Sequence, residues 1–284
     1  MQRLSAHVKD LGGGFMVRRS LPAAQRQSVG PFVFFDHFGP VVLPAESNTD
    51  VRPHPHIGLS TVTYLFEGAM MHRDSLGCVQ RIEPGAINWM TAGRGIVHSE
   101  RTPEELRGQA RPIHGLQLWC ALPVEHEEVA PAFIHTPASA IPQIDLPGAR
   151  CRVLIGTAFG ATSPVRAWSP TLYLDIALAA GAEIRIDDVA SERAIYSVDG
   201  ALDVDGERVE ALQMAVLEAG ASVSVRAERE TRFVVIGGAP LDGHHFIWWN
   251  FVSSSRERIE LAKADWTAQR FGSVPGETDF IPLP

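Results

Sequence analysis

Cysteine is scarce in this chain, long apolar runs are missing, and helix signals are few. Cys78, Cys120 and Cys151 are the only cysteines, far apart and odd in number, with no CxxC pair among them. That excludes a disulfide framework. It fits a reducing compartment, with each thiol read as a small buried hydrophobe. No uninterrupted apolar stretch is long enough to cross a bilayer. The opening MQRLSAHVKDLGGGF holds no apolar core of a secretory signal, so a cytoplasmic location is expected. Basic residues are outnumbered, 25 Lys and Arg against 33 Asp and Glu, for a net charge of −8. That argues against phosphate-driven nucleic-acid binding over the whole surface. We expect a monomer with neither nucleic-acid nor membrane partners.

What is present is a globular composition. Apolar residues make up 45% of the 284, enough for a packed core. Glycine and proline punctuate short β-like runs such as STVTYLF, AINWM, HGLQLWCAL, TLYLDIAL and TRFVVIGG. Many short strands between turn signals predict an all-β sandwich or barrel. A short capped helix and one genuine helix near the C-terminus are expected. TPEELRG offers Thr102 as cap, Pro103 at the first position and Glu105 two residues later. SSSRERIELAKADWTAQRFG offers Ser254 as cap and an apolar stripe of Ile259, Ala262 and Trp266, with Gly272 as the stop. Five prolines between Pro123 and Gly148 mark an inter-domain connection. The halves echo each other: YLFEG ending at Gly68 against YSVDG ending at Gly200, then EPGAIN around Gly85 against EAGASV around Gly220. Two echoes in one order suggest a duplicated β-domain. The expected division is residues 1–135 and 136–284.

The stretch RPHPHIGLSTVTYLFEG carries His54 and His56 two apart. On a strand such a pair shares one face. Pro53 and Pro55 place it at a sheet edge, a bulge or a strand entry. A second pair of this kind, His98 and Glu100, follows the turn glycines Gly93 and Gly95. Two such strands would bring three imidazoles and a carboxylate together. That donor set suits one divalent first-row metal: Fe, Mn, Co, Ni, Cu or Zn. An HxH pair also occurs at ordinary strand starts, so the second pair is what strengthens the reading. Counting from the echoed tyrosine and glycine, the other half holds Ile186, Asp188 and Phe233 in place of the histidines. One metal, in the N-terminal half, is therefore expected.

FVFFDHFGP, RPHPHIGLSTVTYLFEG, PGAINWMTAGRGIVHSE and GLQLW closely resemble the pirin family of the cupin superfamily, densely from about Gly13 to Leu122 and more loosely to the end. The resemblance implies a bicupin, two β-barrel jelly-roll domains in tandem, with a short C-terminal helix. It implies one mononuclear metal, usually iron, on His54, His56, His98 and Glu100. Many cupins take the carboxylate soon after HxH; here IGLSTV holds no acid there, so the second-motif carboxylate is the one that fits. The resemblance also implies one of two functions. One is quercetin 2,3-dioxygenase activity, opening a flavonol ring with dioxygen and releasing carbon monoxide. The other is regulation through binding a transcription factor or metabolic enzyme. In the enzyme reading Glu100 is a ligand or the base that takes the flavonol proton.

Other residues receive plainer readings. His37 with Asp36 suggests a turn, His114 a core histidine, and His72 with Asp74 a surface hairpin. His244 and His245 are adjacent and would point apart on a strand. Gly12 to Gly14 lack the context of a phosphate loop and read as a flexible turn. Ser99 has no GxSxG surroundings, which argues against a hydrolase. Glu104 and Glu105 read as first-turn helix acids.

Overall fold

Alternation and β-branched content decide most of the local structure. Glu183–Ile186 reads EIRI and buries every second residue, and Val223–Ala227 does the same. Leu59–Glu67 reads LSTVTYLFE and is buried on both faces for most of its length. A computed structural model describes residues 1–10 and 15–284. The turn expected at Gly12–Gly14 lies outside them.

Among the described residues strands dominate the regular structure, with one α-helix, as the sequence predicts. Contacts group it into two compact units. One comprises Met1–Val8, Arg18–Phe35 and Ser139–Pro240; the other comprises Lys9–Val17, Asp36–Ala138 and Leu241–Pro284. In this grouping the chain changes unit between Ala138 and Ser139, and the segments before Asp36 and after Pro240 are divided between the two units. Each unit pairs a large sheet with a four-stranded one. They are double-sheet jelly rolls rather than barrels closed by hydrogen bonds. In the Ser139–Pro240 unit, Ile176, Ile195 and Phe233 of the large sheet form one core with Ile184, Leu202 and Val225 of the small one.

The two small sheets have the same strand order. One runs Val51–His56, Ile96–Arg101, Met70–Asp74, Val79–Ile82; the other runs Glu183–Ile186, Val223–Ala227, Leu202–Val204, Glu207–Val209. In the large sheets Leu59–Glu67 and Glu192–Ser197 occupy matching places, so the Tyr64 and Tyr196 echo is a true equivalence. The second echo is not. Gly85 precedes Ile87–Thr91, whereas Gly220 precedes Val223–Ala227, the counterpart of the His98 strand. Phe233 therefore lies one strand beyond the true counterpart of the His98 strand. The true counterparts, EIRI and VSVRA, contain no histidine.

The expected C-terminal helix is Arg256–Thr267, with Ile259, Ala262 and Trp266 buried. Its cap is Ser255, whose side chain accepts from the Arg258 N–H, rather than Ser254. Ser254 is held elsewhere: its N–H and hydroxyl both donate to the buried Glu127 carboxylate. TPEELRG forms only the single 3-10 turn Glu104–Leu106, with no side-chain cap. Thr102 does not cap it: Pro103 stands at the N-cap position, and the Thr102 hydroxyl accepts from the Arg111 guanidinium at 3.3 Å. The proline-rich stretch is more than a connection. Ala132–Thr136 pairs with Ile87–Thr91, and Gln143–Leu146 pairs with Ala149–Ile155. Both lie at sheet edges, where proline nearby is tolerated.

Gly58 follows the histidine strand at φ +66°, and a Cβ there would sit 1.9 Å from the Val252 carbonyl oxygen. Gly58→Ala is expected to destabilise by more than about 1 kcal/mol, through both the left-handed backbone and the clash. Urea denaturation of the two proteins measures it.

Candidate metal centre

Val51–His56 is the edge strand of its sheet and pairs antiparallel with Ile96–Arg101. His98 faces His54, and His56 faces Ile96. The register then slips, so that Glu100 faces Val51 and two residues, Arg52 and Pro53, oppose Ser99. The prolines thus sit at an edge and a bulge, as expected, and bulges re-aim side chains beside functional sites.

The histidine nitrogens of His54, His56 and His98 lie within 4.8 Å of one another, and all three residues are buried. Nδ1 of His54 donates to the Arg52 carbonyl at 2.9 Å, and Nδ1 of His56 to the Asn250 carbonyl at 3.1 Å. A ring that donates at Nδ1 keeps its lone pair at Nε2, so these carbonyls fix the tautomer a metal requires. Nε2 of His56 and Nε2 of His98 meet at 3.1 Å, and Nδ1 of His98 is buried with no hydrogen-bond partner. Burial lowers the pKa of all three, that of His54 to about 4. They stand neutral at pH 7, the ligating form. Trp119 meets the His56 ring edge-on at 5.2 Å.

Glu100 is on the same strand two residues from His98, but it is not among the groups within that 4.8 Å cluster. Part of its surface is exposed, yet the protein packs closely enough around the carboxyl that desolvation lifts its pKa to about 7. Of the four expected ligands, three converge and the fourth stands beside them.

His72 and Asp74 lie on a hairpin, Met70–Asp74 paired with Val79–Ile82, but not at its surface. Both are buried, on the strand Met70–Asp74 that pairs with the other side of Ile96–Arg101. His98 faces Asp74 and Glu100 faces His72 across the ladder. His72 Nε2 bonds Asp74 Oδ2 at 2.8 Å, and its ring stacks on Phe133. The other Asp74 oxygen accepts the N–H groups of Leu76 and Cys78. The signal was in the sequence: HRD is a third pair at i and i+2. With Cys78, His72 and Asp74 form the other group whose spacing could admit a metal, but the Asp74 oxygens are already engaged.

The remaining candidates lie apart from the three-histidine group. His37 is buried on the strand Phe32–Leu43, not in a turn, and its Nε2 meets His114 Nε2 at 2.8 Å. His245 lies outside any strand, with Nδ1 toward the Gly243 carbonyl and Nε2 toward the Leu122 carbonyl. Ser99 donates to Glu277, Glu104 pairs with Arg107, and Glu105 pairs with Arg81. Cys78, Cys120 and Cys151 are free thiols, and desolvation raises the pKa of each. None is activated as a thiolate.

Comparison with known proteins agrees with this architecture. The Pirin family matches residues 14–120, and the Pirin C-terminal cupin domain matches residues 173–272. A pirin-like protein of Caulobacter vibrioides is 46% identical, covering 98% of this chain and 97% of its own length. Human pirin is 34% identical, covering 94% of this chain and 91% of its own. A crystal structure of quercetin 2,3-dioxygenase from Acinetobacter baumannii superposes with a TM-score of 0.93 at 35% identity, covering all of this chain and 94% of that one. Two cupin halves, matched in order and along nearly the whole length, place the chain in the pirin family.

Proposed function

We propose that the protein is a metal-dependent dioxygenase acting on flavonol-like aromatic enols, with quercetin as the reference substrate and dioxygen as co-substrate. The observation that carries this is the convergence of three neutral, buried imidazoles, two of them locked by backbone carbonyls into the metal-binding tautomer. Likeness to a quercetin 2,3-dioxygenase structure supports the substrate class.

His54, His56 and His98 would hold one divalent ion, with Glu100 as the fourth ligand. Three nitrogens and a carboxylate suit iron, the ion we assign, and also Mn, Co, Ni, Cu and Zn. When bound, the ion supplies Lewis-acid stabilisation of the substrate's enolate oxygen. The protein supplies the rest. Burial keeps the imidazoles unprotonated, so protons do not compete for them at neutral pH. Glu100 would bind the ion through its carboxylate and, on partial release from it, would take the enol proton on a carboxylate oxygen. Glu100→Gln that retains metal and full turnover would remove that role.

Metal uptake must also displace the Glu100 proton. Apparent affinity is therefore expected to be flat above pH 7 and to weaken about tenfold per pH unit below it. The loss steepens near pH 4, where His54 also takes a proton. Glu100→Gln removes the slope between pH 7 and 5. Equilibrium dialysis of Mn(II) against pH reads both.

The activity test is the loss of quercetin absorbance in air by protein loaded in turn with Fe, Mn, Co, Ni and Cu. Loss with at least one metal supports the dioxygenase. Metal binding with no loss for any of them leaves the alternative, a metal-holding regulator that binds a transcription factor or metabolic enzyme.

A further inference from the structure

The ligand strand Ile96–Arg101 has two faces. His98 and Glu100 lie on one, so Ser99 and Arg101 lie on the other. Both of the latter reach the same partner, a carboxylate from the far end of the chain. Ser99 Oγ donates to Glu277 Oε1 at 2.5 Å, and Arg101 Nε donates to Glu277 Oε2 at 3.0 Å, with a second guanidinium nitrogen of Arg101 on that oxygen. Ser99 is fully buried, and the Glu277 side chain is 8% exposed. Four residues further on, the Ile281 N–H donates to the Pro53 carbonyl at 2.8 Å. Pro53 is one of the two bulge residues opposite Ser99. The tail therefore grips both strands at the bulge that sets the height of His54 against His98 and Glu100. The tail is itself anchored, because the Trp266 indole donates to the Ile281 carbonyl at 2.9 Å. Asp279 touches the same Arg101, but its side chain is 48% exposed and it does not reach Ser99.

We propose that Glu277 is a positioning residue of the metal centre, holding the Ser99–Arg101 face of the ligand strand so that His98 and Glu100 present a fixed donor geometry. This rests on the metal site described above. The contact is directional: two guanidinium nitrogens on one carboxylate oxygen and a buried hydroxyl on the other fix both the twist and the height of the strand. Outer partners that orient ligands are worth about 10- to 100-fold in metal affinity.

The test compares wild-type protein with Glu277→Ala, Glu277→Gln and Asp279→Ala. Co(II) serves as the probe, with its dissociation constant and visible d–d spectrum as readouts. Wild-type Co(II) binding comes first, since its failure would overturn the metal site itself and not only the role of Glu277. Given binding, Glu277→Ala is expected to raise the dissociation constant by about 10-fold or more and to shift the d–d bands. Asp279→Ala, which trims the exposed side of the same ion cluster, is expected to stay within about twofold with unchanged bands. Glu277→Gln keeps an acceptor for Ser99 and is expected to fall between them. Unchanged affinity and spectrum in Glu277→Ala would overturn the proposal. So would equal weakening by Glu277→Ala and Asp279→Ala with unchanged bands, which would mean general loosening of the tail. If Glu277→Ala does not fold, Glu277→Gln decides: shifted bands support the proposal, and wild-type bands with wild-type affinity overturn it.

Discussion

His98→Ala is expected to leave a folded chain that has lost its metal. Losing an outer partner of a ligand costs about 10- to 100-fold in affinity, so losing a ligand from the centre should exceed about 100-fold. Turnover should fall with metal occupancy. The metal-free protein should lose little stability, for a specific reason. Nδ1 of His98 is buried without a partner, and its Nε2 is pressed against Nε2 of His56. Removing an unsatisfied buried group returns about 1–3 kcal/mol, which offsets much of the cavity left by the ring. Metal-free wild type and His98→Ala should therefore unfold within about 2 kcal/mol of each other in urea. The stability gap should open only when metal is added, because only wild type gains binding energy in its folded state. A centre that were merely a packed histidine cluster would show the reverse: a clear stability loss on substitution and no response to metal.

Trp266→Ala should have the largest effect on stability. The side chain is among the largest fully enclosed ones in the protein, packed with Ile57, Phe251, Ile259 and Ala262. Truncating a buried tryptophan costs about 3–5 kcal/mol. The same change removes the indole donor to Ile281, so the grip on Pro53 should slacken and metal affinity should fall as well. Leu261 lies on the same helix but is 53% exposed. Leu261→Ala should stay within about 0.5 kcal/mol and leave metal binding unchanged. Urea midpoints and Co(II) titration of both variants separate the two sides of the helix.

Much of the centre could be read from residue order because its logic is local. Two i, i+2 pairs on strands give two shared faces, and Pro53 signals an edge or bulge without reference to the rest of the fold. The all-β architecture and the buried stripe on the last helix were legible for the same reason. What escaped depends on long-range pairing. His72 and Asp74 follow the same i, i+2 pattern, but MMHRDSLG by itself reads as a surface hairpin. Only the pairing of Met70–Asp74 with the His98 strand turns them inward. The repeat count failed where loop lengths differ: Gly220 precedes the counterpart of the His98 strand and not the strand before it. Glu277 and Ile281 could not be assigned at all, since nothing in their sequence surroundings says that they return to residues 53, 99 and 101. The cap of the C-terminal helix is Ser255 rather than Ser254 because Glu127 claims Ser254.

The most direct test of the metal centre is elemental analysis of the protein after loading with Fe(II) under anaerobic conditions and removal of free metal, with His98→Ala treated alongside. A centre built on His54, His56 and His98 predicts about one iron per wild-type chain and less than about 0.1 per variant chain. Equal iron in the two proteins, or none in either, would contradict it.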